Sequence, residues 1–408
     1  MTKTIPQQIK SFIKYLKDQE IYQLTDHQNS YLYLSKENQK LPINQLGVTF
    51  RSTYKNESDM WEEFSSYVVS SLQTIIATKF NPTAIKLIPT SLDQTYYLNS
   101  YKAYPTPELP VKDAPLWLEF LERLFPDANE RHTVSQWLAH IFQVPQERPS
   151  WHLMFSSDTG TGKGFLFNDI LRPLLCHQTY LCESYSSFLK PFSQALDSTL
   201  LCLLDDPKSR SDSTQTQLKS KLTEENQVIE RKFEQPTTQT IYTRVILASN
   251  EHRPLKVDNS ERRWFVPKRL EHKVNPEETQ LFISRLSEWL ETDGLATIHN
   301  WFMEYDITDF NHKHINQTES LKEMIDASKP IEVQDLEDWI KVNPVFKWEN
   351  LRLAFDVADN LLKSYITEMA YVYRSVDLDG TGRTRWWMPK KIKNREAKEL
   401  LNIPTPLF

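Results

Sequence analysis

The sequence predicts an α/β fold, and three apolar runs carry that prediction. Trp151-His-Leu-Met-Phe155 reads as a buried strand that enters a glycine-rich turn and then a helix from Phe165 onward. Thr199-Leu-Leu-Cys-Leu-Leu204 is continuously apolar, as in a parallel strand covered on both faces. Thr243-Arg-Val-Ile-Leu-Ala-Ser249 is a third such run. Strands of this kind separated by helical segments form a parallel sheet flanked by helices.

The N-terminal residues 1–105 read as an α+β domain. Residues 7–20 form an amphipathic helix with Ile9, Phe12, Ile13 and Leu16 on one face. Tyr31-Leu-Tyr-Leu34 alternates like a strand, and residues 58–79 read as one long helix with Trp61, Phe64, Val68, Leu72 and Ile75 inward. Ala84–Ile88 and Thr95–Leu98 read as strands. No paired-carboxylate motif of the kind an active primase needs is found here. Pro105, Pro107, Pro110 and Pro115 then make a stiff connector. Residues 106–150 hold two helices, Leu116–Leu124 and Glu130–Phe142, predicted to pack as a collar through Trp117, Phe120, Trp137 and Phe142.

Residues 151–305 carry the chemistry. The chain has seven glycines in 408 residues, and Gly160, Gly162 and Gly164 fall within five positions of one another. Ser157-Asp158-Thr159-Gly160-Thr161-Gly162-Lys163-Gly164, followed by Phe165, is therefore read as a phosphate-cradling P-loop. Its backbone N–H groups and helix N-terminus attract phosphate oxygens, and Lys163 reaches toward the β and γ positions. Gly164 departs from the usual Ser or Thr, which removes the hydroxyl that ligates Mg²⁺, so metal binding falls to carboxylates elsewhere. The strand ending at Leu204 supplies them. Asp205 is the expected Mg²⁺ ligand, and Asp206 is expected to polarise the attacking water. Asn250, at the tip of the third strand, is placed to hold that water or to sense a γ-phosphate. Arg262 and Arg263 follow twelve residues later and are candidates for stabilising charge on a neighbouring copy's nucleotide. Between the second and third strands lies a basic helix with Lys219, then a hairpin with Arg231 and Lys232.

In this order the motifs resemble superfamily 3 helicases, most closely the helicase part of phage, plasmid and poxvirus primase-helicases. The resemblance rests on Gly160-Thr-Gly-Lys-Gly164, Leu204-Asp-Asp206, Lys219 with Lys232, Ser249-Asn250 and Arg262-Arg263, and covers about residues 110–300. It implies an AAA+-like P-loop NTPase core, ATP and Mg²⁺ as cofactors, and a hexameric ring with arginine supplied in trans. It also implies 3′→5′ movement along single-stranded or forked DNA, with Lys232 and Arg231 gripping the strand and a replication initiator or primase as possible partner. Phosphate-directed lysines suit a sequence-blind grip, because every nucleotide presents the same charge. The other readings are a replication initiator or helicase loader, and a non-catalytic DNA-binding assembly protein with a degenerate P-loop, to which Ser157 and Gly164 point.

Residues 306–408 read as helices followed by a small module: helices at 333–342 and 350–364, then a ribbon, Ala370–Val376 with Arg383–Met388. Helices followed by a two-stranded ribbon resemble a winged helix. Residues 379–398 hold seven Lys or Arg against two acids, a local +5 in a chain of −6. Arg383, Arg385, Lys390 and Lys391, beside Trp386 and Trp387, are candidate DNA contacts. The acidic net charge excludes a globally basic nucleic-acid binder. Cys176, Cys182 and Cys202 lack metal-ligand spacing and read as reduced core thiols, in keeping with a cytoplasmic protein. No window approaches the ~18 apolar residues of a membrane span.

Overall fold

The computed structural model describes residues 4–26, 29–55, 58–105, 113–190, 195–207, 212–229, 237–252, 254–255, 257–328, 331–355 and 357–401. The chain divides into two compact units, Met1–Pro254 with Arg262–Gln317, and Leu255–Glu261 with Thr318–Phe408.

The first unit begins with a mixed six-stranded sheet. Its strands are β1 (Ile21–Asp26), β2 (Asn29–Leu34), β3 (Gln39–Pro42), β4 (Thr74–Lys79), β5 (Leu87–Pro89) and β6 (Tyr96–Asn99), in the order β3-β2-β1-β4-β6-β5. Helices α1 (Gln7–Asp18), α2 (Gln45–Thr53) and α3 (Ser58–Ser70) accompany it. Ile9, Phe12, Leu16, Phe50 and Val68 form their shared core. The long helix expected over 58–79 stops at Ser70, and Thr74–Lys79 is instead a strand parallel to β1 and β6. Thr74, Ile75, Ile76 and Thr78 are β-branched and stiff at χ1, which favours the pleated backbone. Ile75 packs with Leu24 and Leu98 rather than extending the helical stripe.

The second part of the unit is built on a five-stranded sheet. Helices α4 (Pro115–Leu124) and α5 (Ala128–Gln143) precede it. Asp127 caps α5 by accepting from Asn129 N and Glu130 N. Trp117, Phe120 and Trp137 of these helices join the main hydrophobic core, with Phe142 against it. The strands are β7 (His152–Ser156), β8 (Thr179–Cys182), β9 (Leu201–Asp205), β12 (Arg244–Ser249) and β13 (Trp264–Phe265); the hairpin β10 (Asn226–Ile229) with β11 (Thr237–Thr240) stands apart. The order is β13-β7-β12-β9-β8 and every pairing is parallel. All carboxyl ends of the strands therefore open on one edge, where open α/β sheets bind ligands. Helix α6 runs through Lys163–Phe165, Leu166–Leu171 and Arg172–Leu174, with a π-helical middle piece.

Beneath the sheet sits a buried basic group. Arg244, the first residue of β12, is fully buried. Its Nη2 lies 3.2 Å from His140 Nδ1. An arginine can only donate, so Nδ1 accepts and His140 is neutral. Burial, with Arg244 and then His312 adding, brings the His140 pKa down to about 3. An unfolded histidine titrates near 6.5, so the unfolded chain takes up the proton first on acidification. The contribution is complete above pH 6.5 and drains away as pH falls toward 3. By pH 5 the expected loss from this group is about 2 kcal/mol. Urea unfolding at pH 7 and pH 5 checks this, and His140→Gln is expected to flatten the dependence.

The second unit contains α7 (Glu319–Ser328), α8 (Ile331–Val342), β14 (Phe346–Lys347), α9 (Trp348–Ala354), α10 (Asp359–Glu368), β15 (Tyr371–Val376), β16 (Thr384–Pro389) and α11 (Asn394–Leu401). Its sheet runs β14-β16-β15. The single helix expected over 350–364 is two. Phe355 packs against the unit's core, and Arg352 spans the break, donating to Val357 O and pairing with Asp359 at 2.9 Å. Among the described residues no helix is long and apolar enough to cross a membrane.

Candidate functional site

The site lies at the carboxyl ends of β7, β12 and β9. The turn after β7 takes positive φ at Gly160 (80°) and Gly162 (106°), which L side chains rarely adopt. A Cβ at Gly162 would also meet Phe120 at 3.3 Å. Gly164 differs, because the nearest atom to a Cβ there is Asn168 Nδ2 at 4.0 Å, so the missing hydroxyl has no steric cause.

Lys163 opens α6 and turns back over the strand ends. Its Nζ donates to Asn250 Oδ1 at 3.0 Å and to Ser157 Oγ. Ser157 is buried, whereas Thr159, Gly160 and Gly164 are exposed and Asp158, Thr161, Gly162 and Phe165 are half-buried. The Phe165 ring packs edge-on against Phe120, 5.6 Å between centroids, and so serves the core with its side chain. Burial lowers the Lys163 pKa, with Asp205 and Asp206 opposing.

Asp206 has a left-handed backbone, φ 44°, a strained setting of the kind that collects at functional sites. It is locked to the neighbouring strand. Its N–H donates to Ala248 O at 2.7 Å, and its Oδ1 accepts from Ser249 Oγ at 2.7 Å and Asn250 N at 3.3 Å. The Asp205 carboxyl is pushed up chiefly by burial, with Lys163 opposing and Asp206 and Glu183 adding. Lys163, Asp205, Asp206 and Asn250 thus come from three adjacent strand ends into one place.

Three groups here are not singled out by the sequence. Arg269 underpins the turn from below. Its guanidinium donates to Ser156 Oγ at 2.5 Å, Ser157 O at 2.9 Å and Asn250 O at 3.0 Å, and its Nη2 lies 3.0 Å from Asp158 Oδ1. His272 Nε2 lies 2.8 Å from Thr159 O. The segment runs alongside the turn, with Leu270 N donating to Ser156 O and Asp158 N to Leu270 O, both at 2.9 Å. No local pattern around Pro267-Lys-Arg-Leu-Glu-His272 announces this. Glu183, beyond β8, is a third group the sequence did not single out.

The remaining candidates lie elsewhere. Arg262 and Arg263 precede β13, at the opposite edge of the sheet from Lys163, where His152 N donates to Arg263 O at 2.7 Å. Arg263 Nε donates to Thr223 Oγ1 at 2.8 Å. Lys219 is half-buried on the helix Asp212–Thr223. That helix leads into the hairpin, and Arg148 fixes the join by donating to Leu222 O at 2.8 Å and Glu224 O at 3.0 Å. Arg231 and Lys232 lie outside the described residues. Arg383, Arg385, Lys390 and Lys391 are exposed in the second unit. Among the described residues no group of three or more His, Cys, Asp or Glu is arranged to hold a metal ion.

Residues 154–263 match the model of a family of unknown function, DUF5906. Over 178 residues the chain is 30% identical to the DNA primase-polymerase of Nitratiruptor phage NrS-1, taking in 42% of this chain and 24% of that protein. The chain therefore spans about a quarter of that relative's length. An apo A-form structure of the NrS-1 C-terminal region overlays with a TM-score of 0.65 at 17% identity, covering 93% of this chain and 98% of that one. Another gives 0.61 at 20% identity, covering 86% and 84%. The chain is homologous to that phage replication protein and has a mixed α/β fold with a parallel sheet similar to its C-terminal region.

Proposed function

We propose that this chain is an ATP-dependent DNA helicase of superfamily 3 type, driven by an AAA+-like P-loop NTPase core and acting as a hexameric ring in the replication of a phage or mobile element. The observation that carries the proposal is the convergence of Lys163, Asp205, Asp206 and Asn250 on one sheet edge beside a left-handed glycine turn. Similarity to a phage primase-polymerase supports the replication setting.

In this reading the turn cradles phosphates and Lys163 moves from Asn250 to the β and γ oxygens. Asp206, fixed by Ser249 and Asn250, orients the attacking water as base, and Asn250 aligns it. Asp205 would hold Mg²⁺, a role its carboxylate fits because mutual repulsion with Asp206 and Glu183 favours a cation there. One carboxylate would suffice, since Mg²⁺ is commonly held by one or two carboxylates and keeps several waters. When bound, the ion neutralises charge developing on the transferred phosphoryl group. Arg262 and Arg263 sit about 13 Å of strand away, at ~3.3 Å per residue along β7, which suits action on the nucleotide of another copy. The hairpin with Arg231 and Lys232, together with Lys219, would grip DNA.

Gly164 favours the competing reading of a non-catalytic DNA-binding assembly protein with a degenerate P-loop, and Asp205→Asn separates the two. The substitution is expected to cut ATP hydrolysis and forked-duplex unwinding by about 100-fold or more. It should leave the thermal midpoint of the nucleotide-free protein unchanged or higher, because a raised carboxyl pKa means that the charge costs stability when the site is empty. Unwinding by the substituted protein at the normal rate would contradict the assignment.

A further inference from the structure

We propose that the second unit carries a base-stacking site for single-stranded nucleic acid, formed by Tyr373, Trp387 and Trp348 with Arg385 and Lys363. The inference rests on reading the chain as a DNA-acting protein and names the surface and the strand state it takes.

Sheet alternation creates the site. Tyr373 of β15 pairs directly with Trp387 of β16, and Ser375 pairs with Arg385, so these side chains share one face. Trp387 lies 5.5 Å from Tyr373 and 6.0 Å from Trp348, centroid to centroid. Trp348 and Trp387 pack against the unit's core, which fixes their rings. Tyr373 is 60% exposed, an unusual place for a large ring that no buried cluster needs. Cations interleave with these aromatics. Arg385 Cζ lies 5.8 Å from the Tyr373 centroid and Lys363 Nζ 5.1 Å from that of Trp348.

The opposite face shows what the site excludes. Trp386 is 4% exposed and packs with Met388 and Ala397. Lys347 stacks on it at 4.6 Å and pairs with Asp379 at 2.8 Å. Trp386, expected to meet DNA bases, is therefore a core residue, and of the two adjacent tryptophans only Trp387 borders solvent. Nearby, Arg374 donates to Ile392 O at 2.7 Å and Lys390 O at 2.9 Å, fixing the turn that presents Lys390 and Lys391.

Charge and shape select the occupant. Asp359 and Asp379 are paired with Arg352 and Lys347, whereas Arg385 and Lys363 lie beside the rings and Lys390 and Lys391 are exposed, which supplies cations for phosphates. Aromatic faces between cations suit unpaired bases, since any base offers a π-face. In a duplex the bases are already stacked inside, so a duplex offers this surface only its backbone. A peptide partner would not need cations interleaved with rings.

The test is fluorescence anisotropy on the full chain without nucleotide. The probes are labelled oligothymidylate, an abasic deoxyribose-phosphate strand of equal length, and a blunt duplex. Tyr373→Ala is expected to weaken oligothymidylate binding about tenfold, the order of one lost stack, and Tyr373→Trp to preserve it. Abasic and duplex affinities should stay within about twofold, so the preference for bases over the abasic strand collapses in Tyr373→Ala. Oligothymidylate binding unchanged by Tyr373→Ala, or an equal loss on all three probes, overturns the proposal. The assay contains no ATP. A wild-type protein that fails to hydrolyse ATP would sink the helicase reading and leave this binding result standing.

Discussion

Lys163→Ala is expected to reduce DNA-stimulated ATP hydrolysis by about 100-fold or more without unfolding the chain. The ammonium bridges Asn250 and Ser157 beside Asp205 and Asp206. Removing it leaves Asp205 and Asp206 without its charge while Arg269 pairs with Asp158, so a polyphosphate would meet a more acidic edge. The same environment predicts that the fold does not depend on the charge. Burial lowers the Lys163 pKa, so the protonated form is less welcome in the folded protein than in water. Steady-state phosphate release should therefore fall while the thermal midpoint holds. Lys163→Met, which keeps the stem of the side chain, should lose hydrolysis to the same degree.

Arg244→Met is expected to destabilise the first unit by about 3–5 kcal/mol. The guanidinium donates to Glu147 O at 2.5 Å, Val144 O at 3.1 Å, and Pro145 O and Tyr242 O at 3.4 Å. Most of these carbonyls lie just beyond the C-terminus of α5, where aligned peptide dipoles leave partial negative charge. Burial brings the pKa down to about 9, with Arg148 adding, so Arg244 stays charged at neutral pH and its charge is met by carbonyl dipoles. Methionine fills similar volume but leaves those acceptors buried and unpaired. Because Arg244 begins β12, between β7 and β9, the loss falls on the centre of the sheet. Urea unfolding measures it. Arg244→Lys should recover only part, since one ammonium cannot span the fork's acceptors. A shift below about 1 kcal/mol would refute the account of this buried charge.

The sheet's interior was legible because its strands are continuous apolar runs, and the turn because a glycine-poor chain gathers glycines around Lys163. The edges were not. β13 is two residues long and exists through its pairing with β7, and β8 shows only Thr179–Cys182, partly exposed. Thr74–Lys79 was drawn into a helical stripe because Leu72 and Ile75 continue its spacing, although their β-branched neighbours favour a strand. Arg269 and His272 reach the turn through tertiary packing, which local patterns do not encode. In the second unit, alternation does separate Trp386 from Trp387. Which of them is buried depends on α11 covering one face, and that is set by the fold rather than by the ribbon's own residues.

The proposed function requires this sheet edge to hydrolyse ATP in response to DNA. Its most direct measurement is phosphate release from ATP and Mg²⁺ by wild type and Lys163→Ala, each with and without single-stranded DNA. The account predicts hydrolysis by wild type, stimulated by DNA, and none above background by the folded Lys163→Ala protein. A folded wild-type protein that releases no phosphate, or equal release by both proteins, would contradict it.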